Sequence, residues 1–342
     1  MSDISRHFRP VPIETSITSR RLWFLAAAVT IAILPLIFTS SYWRTNLTVC
    51  AINVLLAIGL DFVLGYAGQL NIGQSAFYGI GAYTSTLLIM KLAVPFWIAF
   101  SLGVLISGIA GAMLSLFAVR LRGHYLAIAS LGFAVITYQV LLNWISLTQG
   151  PLGIYAIAPP PPIALPYLPR VVFSNAANFY YLTAGFALLV YFVLDQLVRS
   201  PIGETLTAIR EDELSAASLG IDGPKWKAFA FAVSSAVAGA AGCFYASFVG
   251  TLVPDAFFIT ESFSMLAMVI VGGMGTLIGP VFGAILLTLL PELLRGIGDL
   301  RLIVYGASVT LVVLFMPGGL VQAVRSVARR VTRADAKIEQ RP

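Results

Sequence analysis

The chain has 342 residues, of which 58% are hydrophobic and only 11% are charged. Soluble domains carry about 25% charged residues, so this composition excludes a soluble protein and a large extramembrane enzyme domain. At roughly 20 apolar residues per crossing, the length accommodates eight to ten membrane helices with short connections. In a membrane protein, the placement of the 21 basic and 15 acidic residues reports the topology of the chain. We therefore expect no nucleic-acid partner.

Long apolar runs follow one another along the chain. The first run begins after Arg20 and Arg21 and is too long for a cleaved signal peptide, so it predicts a retained membrane anchor. The fold class predicted from these runs is an all-α polytopic membrane protein. The runs cover residues 22–40, 46–66, 73–90, 94–119, 125–146, 179–198, 226–250, 262–290 and 302–316.

The positions of the basic residues predict the orientation of the chain in the membrane. A cytoplasmic tail at 1–21, followed by simple alternation, places Arg120, Arg122 and the loop 199–225 inside. The same alternation would leave the basic tail 319–342 outside, against the positive-inside rule. One crossing in the last third of the chain must therefore be cancelled.

The run 262–290 is the candidate for that cancellation. Gly272-Gly273-Met274-Gly275 and Gly279-Pro280 interrupt it, so we interpret it as two helical pieces that enter the membrane and return. This arrangement puts 16 of the 21 basic residues inside and limits the membrane domain to 22–318. Because the segment 71–79 resembles 277–283, the sequence also suggests two related half-bundles, each with a Gly-interrupted segment.

The first Gly-rich segment, 65–77, combines amides and aromatic rings with poor helix propensity. Unwound backbone at membrane depth is tolerated where it lines a cavity or is buried in protein. One interpretation is therefore a substrate path, and the other is close helix packing through Gly73, Gly79 and Gly81. The candidate path residues are Tyr66, Gln69, Asn71, Gln74 and Phe77, with Gly273, Gly275 and Gly279 in the second half.

The inside loop 199–222 has the pattern of a short amphipathic helix. Ser200-Pro201 is a helix start and Gly220 a helix end, and the segment between them places apolar residues on one side. These residues are Leu206, Ile209, Leu214 and Leu219. The acidic cluster Glu211-Asp212-Glu213 would be repelled by anionic lipid headgroups, so a groove on a soluble protein partner is favoured over the bilayer surface.

The outside loop 147–178 is rich in proline, with Pro159 to Pro162, Pro166 and Pro169. Proline at this density predicts a stiff, non-helical surface element. Two roles stay open for it: docking of an external binding protein, or a simple bridge between two spans.

Residues that could carry enzymatic or metal chemistry are scarce. The sequence contains no phosphate-binding loop and no H-E-x-x-H motif, and His7 and His124 are far apart. Cys50 and Cys243 lie in apolar runs and are expected to be packed core thiols. The sequence therefore predicts no catalytic residues, no metal site and no cofactor bound by this chain, which argues against an integral-membrane enzyme.

Asp61 and Asp195 are the clearest acidic residues within the apolar runs. A carboxylate at that depth suggests function by default, although Asp195 is one helical turn from Arg199 and so is placed to form an i, i+4 pair. An ion-coupled carrier or channel normally has a chain of such groups. That class stays open as an alternative, with Asp61 as its test residue.

At these residues the chain resembles the LivM-type inner-membrane permease subunit of branched-chain amino acid ABC importers, a family with relatives that serve urea and other short amides. The resemblance covers about residues 45–320. Its most specific stretches are 65–83, 120–133, 200–220 and 272–284. Two departures are the absence of an acidic residue at Ala134 or Val135, where many relatives carry one, and the proline-rich outer loop.

The resemblance implies a transport subunit in a bacterial inner membrane, in contact with lipid and with both termini cytoplasmic. It implies three kinds of partner: a second homologous permease, two cytoplasmic P-loop ATPases that hold ATP and Mg, and a periplasmic substrate-binding protein. The segment 208–220 is then similar to the helix that inserts into the ATPase. The residues in the matching positions are Ala208, Arg210, Glu211, Glu213, Ala216, Ala217 and Gly220.

Overall fold

A computed structural model of the chain describes residues 28–118, 124–162, 172–173 and 175–297, and farther along 303–304, 306–307, 310–311, 314 and 318–322. The predicted tail 1–21, Arg120 and Arg122, and most of the basic tail 319–342 lie outside the described residues.

Helices make up nearly all of the regular structure in the described residues. They are α1 (Ala28–Ile37), α2 (Ser41–Asp61), α3 (Gln74–Leu92), α4 (Phe96–Ala118), α5 (His124–Asn143), α6 (Ile145–Thr148), α7 (Ala176–Arg199), α8 (Pro201–Glu211), α9 (Glu213–Ser218), α10 (Gly223–Val249), α11 (Ile259–Gly272) and α12 (Ile278–Leu293).

Seven stretches of the described chain are helical, long and apolar enough to cross a membrane: Ser41–Tyr66, Phe96–Phe117, Tyr125–Asn143, Ala176–Arg199, Gly223–Val249, Pro254–Gly272 and Ile278–Gly296. The all-α polytopic fold class predicted from composition is thereby confirmed. Helix α3 has 19 residues but is less apolar, because it carries buried polar residues such as Gln74, Ser75 and Thr86. It packs inside the bundle against α10 and α4.

Helices α2 and α10 form the centre of the bundle. The most apolar windows of these two spans are each 72% buried, against 28–33% for α4, α5 and α7. Helix α10 packs on α2, α3 and α4, and α2 also packs on α7, α11 and α12. The outer helices expose large apolar side chains such as Phe117 and Ile128, as expected for surfaces in contact with lipid.

The contact between α3 and α10 depends on small residues. A methyl group added at Gly242 would lie 2.0 Å from the carbonyl oxygen of Tyr78, and one added at Gly81 would lie 2.3 Å from that of Gly239. Without a hydrophobic driving force between helices in lipid, such close backbone approach supplies the van der Waals contact that holds them together.

The run 262–290 forms two helices. α11 ends at Gly272 and α12 begins at Ile278, with five irregular residues between them. A methyl group at Gly272 would meet the carbonyl oxygen of Gly279 at 2.0 Å, and one at Gly283 would meet that of Met268 at 1.9 Å. The pair Gly272 and Gly279 lies near the break, and the pair Met268 and Gly283 lies farther from it on both sides. The chain therefore reverses its direction at the break.

The outer connection contains short regular elements that the proline content did not predict. After α6, a 3-10 turn at Gly150–Leu152 leads to β1 (Ile154–Tyr155), which pairs antiparallel with β2 (Thr251–Leu252). Ile154 and Leu252 face each other and are both buried. Residues 159–162 have no regular structure, as expected for consecutive prolines; Pro166 and Pro169 lie outside the described residues.

Candidate functional site

Two breaks in the helices lie against each other. The first follows α2, where a π-helical turn at Phe62–Tyr66 leads into the irregular residues 67–73. The second consists of residues 273–277 between α11 and α12. A methyl group added at Gly65 would lie 2.5 Å from the amide nitrogen of Gly275, so the two breaks touch through their backbones.

Asp61 holds the second break against the end of α2. Its side chain is fully buried, and Oδ1 accepts a hydrogen bond from the Gly275 amide at 2.8 Å. One turn farther along, Tyr66 is also buried. Asp61 therefore has a structural role, since it satisfies a backbone donor that the break in the helix exposes.

A buried amide network holds the first break in place. Asn71 Nδ2 donates to Gln74 Oε1 at 2.8 Å, and Asn71 Oδ1 accepts from the Gly73 amide at 2.8 Å. Gln74 Nε2 lies 3.3 Å from Ser234 Oγ on α10. Because buried polar groups are stable only when paired, these contacts account for both amide side chains at the start of α3.

Two serine hydroxyls connect the same break to α5 and α11. The amide of Ile72 donates to Ser130 Oγ at 3.0 Å, and the amide of Ser75 donates to Ser262 Oγ at 2.9 Å. Sequence reasoning missed Ser130, Ser262 and Ser234. Serine within an apolar helix is common as a small packing residue, so its presence gave no signal. Once the break is located, the backbone amides at the start of α3 need acceptors, and that need is the signal that could have identified these serines.

The candidate path residues are all near the two breaks, but the side chains of the first segment are packed inside this chain and do not face an open cavity in its described part. Tyr66, Gln69, Asn71, Gln74 and Phe77 are buried, and the ring of Phe77 stacks on Phe133 with 5.4 Å between centroids. The glycines of the second half are in the break or one turn beyond it: Gly273, Gly275 and Gly279. The structure thus brings the two Gly-rich segments together, and their lining of a path stays a prediction.

An open groove of about 520 Å³ lies elsewhere, on the outward face of α5. It is lined by Val135, Ile136, Gln139, Val140, Asn143 and Trp144. A methyl group added at Gly132 on this helix would have no atom of the described chain within 4 Å. Gln139 and Asn143 are exposed and bond to each other, Nδ2 to Oε1, at 3.0 Å.

The inside loop forms two helices, which corrects the expectation of one amphipathic helix over 208–220. Helix α8 ends at Glu211 and α9 begins at Glu213, with Asp212 extended between them at φ −155° and ψ 106°. Asp212 caps α9 by accepting hydrogen bonds from the amides of Leu214 and Ser215. An aspartate that can cap a new helix breaks the old one, because its carboxylate competes for backbone donors.

Helix α8 packs against its own chain. Leu206 and Ile209 are buried, and the guanidinium of Arg210 donates to the carbonyl oxygen of Gly65 in the first break. Gly203 allows the close turn from α7, since a methyl group there would lie 1.9 Å from the carbonyl oxygen of Val198. This half of the loop is therefore fixed to the membrane domain.

Helix α9 is exposed on nearly every side. Within α9, Leu214 is 68% exposed, Ala217 is exposed, and only Ala216 is buried; Glu211 before the helix is exposed, and Leu219 directly after it is 82% exposed. The base of the helix is fixed to α10 by an ion pair between Glu213 and Lys227 at 2.7 Å. Two large apolar side chains on a small polar helix in water are typical of a protein contact surface.

The remaining acidic candidate, Asp195, pairs with Arg199 one turn away at 2.9 Å, as its spacing predicted. Its side chain is largely buried at the end of α7. Because the pair is local to one helix end, it explains the carboxylate without a transport role.

Comparisons with known proteins agree with this arrangement. The family described as "Branched-chain amino acid transport system / permease component" matches residues 44–316. The high-affinity branched-chain amino acid transport system permease protein LivM of Salmonella typhimurium is 34% identical over 92% of this chain and 78% of its own length. LivM of Escherichia coli K12 is 33% identical over the same shares. The permease protein LivH of Salmonella typhimurium is 25% identical over 80% of this chain and 92% of its own length.

No solved structure matches the chain. The family match covers most of the chain, including both helix breaks and the loop that carries α8 and α9. The chain belongs to the family of permease components of branched-chain amino acid transport systems.

Proposed function

We propose that this chain is the transmembrane permease subunit of an ATP-driven importer for branched-chain or other hydrophobic amino acids. The names and identities of its relatives support the substrate class. The importer receives its substrate from a periplasmic binding protein, for which the outer loop 147–178 is a docking candidate. The membrane domain 22–318 lies in a bacterial inner membrane with both termini cytoplasmic, as the positions of the basic residues predict.

The exposed helix α9 is the observation that carries the proposal. A family of membrane permeases that contain no nucleotide site of their own needs a surface that transmits force from an ATPase. Leu214 and Leu219 are exposed beside a capped, charged helix whose base is fixed to α10. We infer that α9 inserts into a groove on a cytoplasmic ATPase, and that two such ATPases hold ATP and Mg for the importer.

The outward face of α5 supports pairing with a second permease. Gln139 and Asn143 expose amide groups on a membrane-spanning helix, where contact with lipid tails is unfavourable for polar groups. A second, homologous subunit against this face would cover both amides and fill the groove beside Gly132. The substrate path then lies between the two subunits or between the two half-bundles of each.

The mechanism is alternating access driven from the cytoplasmic side. ATP binding and hydrolysis on the partners move α9, and α8 transfers this movement to the helix breaks. The two related half-bundles of eight to ten helices in all, each with one broken segment, then rock to open a central path on alternate sides. Substrate selection rests mainly with the binding protein, which fits the small number of charged groups in the described interior.

The test is affinity purification of the chain from its native membrane in mild detergent, with co-purifying proteins identified by mass spectrometry. We expect a P-loop ATPase and a second permease in stoichiometric amounts. Uptake of labelled leucine into vesicles that contain this complex should require ATP and the binding protein. Labelled urea is the competing substrate in the same assay.

A chain that purifies alone or as a homo-oligomer, with no ATPase even after crosslinking, would contradict the proposal. In that case an ion gradient should drive uptake, and Asp61 would be the residue to substitute.

A further inference from the structure

Arg210 on α8 lies at the point where both helix breaks come together. Its guanidinium donates a hydrogen bond to the carbonyl oxygen of Gly65, at the end of the first helix. The same group lies beside the second break, because a methyl group at Gly275 would be 3.3 Å from Arg210 Nη1. One side chain from the cytoplasmic helix pair thus contacts two segments that are 210 residues apart in sequence, roughly three fifths of the chain.

The backbone of both breaks is shaped to receive this side chain. Gly68 and Gly275 have φ of +66° and +74°, in the left-handed region that favours glycine. A methyl group at Gly68 would lie 2.7 Å from Arg210 Cγ. Glycine is therefore required at Gly68 both by the backbone angle and by the space that Arg210 occupies, and at Gly275 by the backbone angle, with Arg210 in close contact.

Asp61 completes the arrangement from the opposite side. Its Oδ1 accepts from the Gly275 amide, while Oδ2 has no hydrogen-bond partner among the described residues. Asp61 therefore fixes the second break to the end of α2 by a hydrogen bond of its own, beside the contact that Arg210 makes.

Fixing α8 to the bundle does not require Arg210. Leu206 is fully buried and Ile209 nearly so on the same helix, and Gly203 brings α8 against the end of α7. Arg210 adds a connection of a different kind, since it reaches the first break through a directed, charged hydrogen bond and lies beside the second. Such bonds hold a fixed geometry, whereas apolar contacts allow sliding.

We infer that Arg210 is a positioning residue that clamps α8 to both helix breaks, so that the two broken segments move together when α9 is displaced by the ATPase. The inference rests on the proposed function, because it describes how movement of the cytoplasmic helix pair reaches the transport path. A lysine cannot replace the arginine fully, since its compact ammonium group lacks the planar fork with which arginine donates to Gly65 while lying beside Gly275.

The first experiment measures coupling in the complete importer. The wild-type complex and the variants Arg210→Met and Arg210→Lys are reconstituted into proteoliposomes with the binding protein, and labelled leucine uptake and ATP hydrolysis are measured in the same vesicles. We expect Arg210→Met to transport about tenfold less leucine per ATP, the size expected for a lost charge-assisted hydrogen bond, while ATP hydrolysis continues. Arg210→Lys should restore part of the ratio.

Lys225→Met is the matched control. Lys225 is a basic residue at the start of α10 on the same side of the bundle, and it pairs with Asp222, both side chains being exposed. Its loss should leave the ratio of leucine to ATP within about twofold of wild type, as for a surface ion pair. An unchanged ratio in Arg210→Met, or an equal fall of uptake and ATP hydrolysis, would overturn the clamp.

A second measurement does not depend on substrate. Spin labels at Glu204 on α8, which is exposed, and at Ile278 at the start of α12, which is partly exposed, report the distance between α8 and the second break. In the wild-type complex we expect one narrow distance distribution that is the same with ATP and with ADP. In Arg210→Met the distribution should broaden or differ between nucleotides, and a narrow, nucleotide-independent distribution would contradict the inference.

Glycine substitutions give an independent check. Gly68→Ala should lower the leucine-to-ATP ratio, because the new methyl group would lie 2.7 Å from Arg210 Cγ and displace it; Gly275→Ala should lower the ratio less, because the new methyl group would lie 3.3 Å from Arg210 Nη1. Gly250→Ala is the matched control, since Gly250 has φ of +72° and its nearest neighbour would be 3.9 Å from the new methyl group. If all three variants behave alike, backbone strain explains the effect and the clamp is wrong. A wild-type complex with no ATP-dependent leucine uptake would instead refute the proposed function, and the spin-label result would still decide on the clamp.

Discussion

Helices α8 and α9 are neighbours in sequence and have opposite surroundings. In α8 the apolar residues Leu206 and Ile209 are 0% and 4% exposed, whereas Leu214 in α9 and Leu219 directly after it are 68% and 82% exposed. Both pairs belong to the same loop and carry the same chemistry. The difference shows that one half of the loop belongs to the core of this chain, and that the other half is exposed, as the proposed contact with an ATPase requires.

The change of surroundings occurs at Asp212. Its extended backbone ends α8, and its carboxylate caps α9, so α9 starts in a new direction. The ion pair between Glu213 and Lys227 then fixes the base of α9 on α10. A rigid base and an exposed apolar end are suited to transmitting a push from a bound partner to the membrane domain. Each prediction below tests the contrast between the two helices.

The largest effect is expected for Leu214→Glu in α9 or Leu219→Glu directly after it. Burying a leucine side chain at an interface contributes about 1.5–3 kcal/mol, and a buried glutamate adds a further penalty. This loss of binding free energy corresponds to a fall of more than about tenfold in affinity, so co-purification of the ATPase should fall by a similar factor. The thermal stability of the chain in detergent should not change. Leu152→Glu is the control, since Leu152 is 74% exposed on the outer loop. Full ATPase recovery with both α9 variants would contradict the proposed contact.

Leu206→Ala in α8 should instead weaken the fold of the chain itself. Leu206 is fully buried, and truncation of such a side chain costs about 2–5 kcal/mol because a cavity remains. Thermal unfolding in detergent should show a clear fall in Tm. Leu206→Met keeps the volume and should cost less than about 1.5 kcal/mol. Equal Tm values for Leu206→Ala and wild type would mean that α8 is not fixed to the core.

Substitution of Gly203 in α8 should affect the stability of the chain, whereas substitution of Gly220 after α9 should affect transport. In Gly203→Ala the new methyl group meets the carbonyl oxygen of Val198 at 1.9 Å, so α8 must shift, at a cost of about 1–3 kcal/mol. In Gly220→Ala nothing lies within 4 Å, and only the φ of +84° is strained, which costs about 1–2 kcal/mol at the end of α9. We expect Gly203→Ala to lower the Tm of the chain, and Gly220→Ala to lower leucine uptake with little change in Tm. The reverse pattern would contradict the contrast.

The smallest effect is expected for the stability of α9 as a function of pH. Hydrogen bonds from Ser215 lower the pKa of Asp212 below its ordinary value of 3.8. A lowered pKa in the folded state means that the cap stabilises α9 above the ordinary pKa, and that this stabilisation is lost as the pH falls through the lowered value. Hydrogen exchange of the Leu214 and Ser215 amides, corrected for intrinsic rates, should therefore accelerate in acid, while α8 stays protected. In Asp212→Asn the acid-dependent change should disappear, and its persistence would show that another group titrates.

Much of the architecture follows from local properties of the chain. Runs of about 20 apolar residues predict membrane helices because only helices satisfy their own backbone in lipid, and most of the predicted runs contain a helix. The interruption at Gly272–Gly275 predicts a break, since glycine is a weak helix former and tolerates a left-handed backbone. The pairing of Asp195 with Arg199 follows from their spacing on one helix.

The candidate site was less accessible to such reasoning. The amides of Asn71 and Gln74 suggested a path, but the structure uses them to satisfy the backbone at the start of α3. The partner of Gln74 on α10 lies 160 positions away, and the partner of the Ser75 backbone amide on α11 lies 187 positions away. Local pattern could not select those serines from many others, because the selection depends on which helices become neighbours.

By itself, the sequence determined that this protein is an all-α membrane protein, where its helices break, and which loop carries an amphipathic pattern. These features depend on residues close together in the chain, through hydropathy, helix propensity and charge. Only the tertiary structure decided which apolar residues of that loop are buried, that the two breaks touch, and that Arg210 contacts both. Those features depend on distant segments packed side by side, where burial and hydrogen bonding are satisfied by groups that no local pattern identifies.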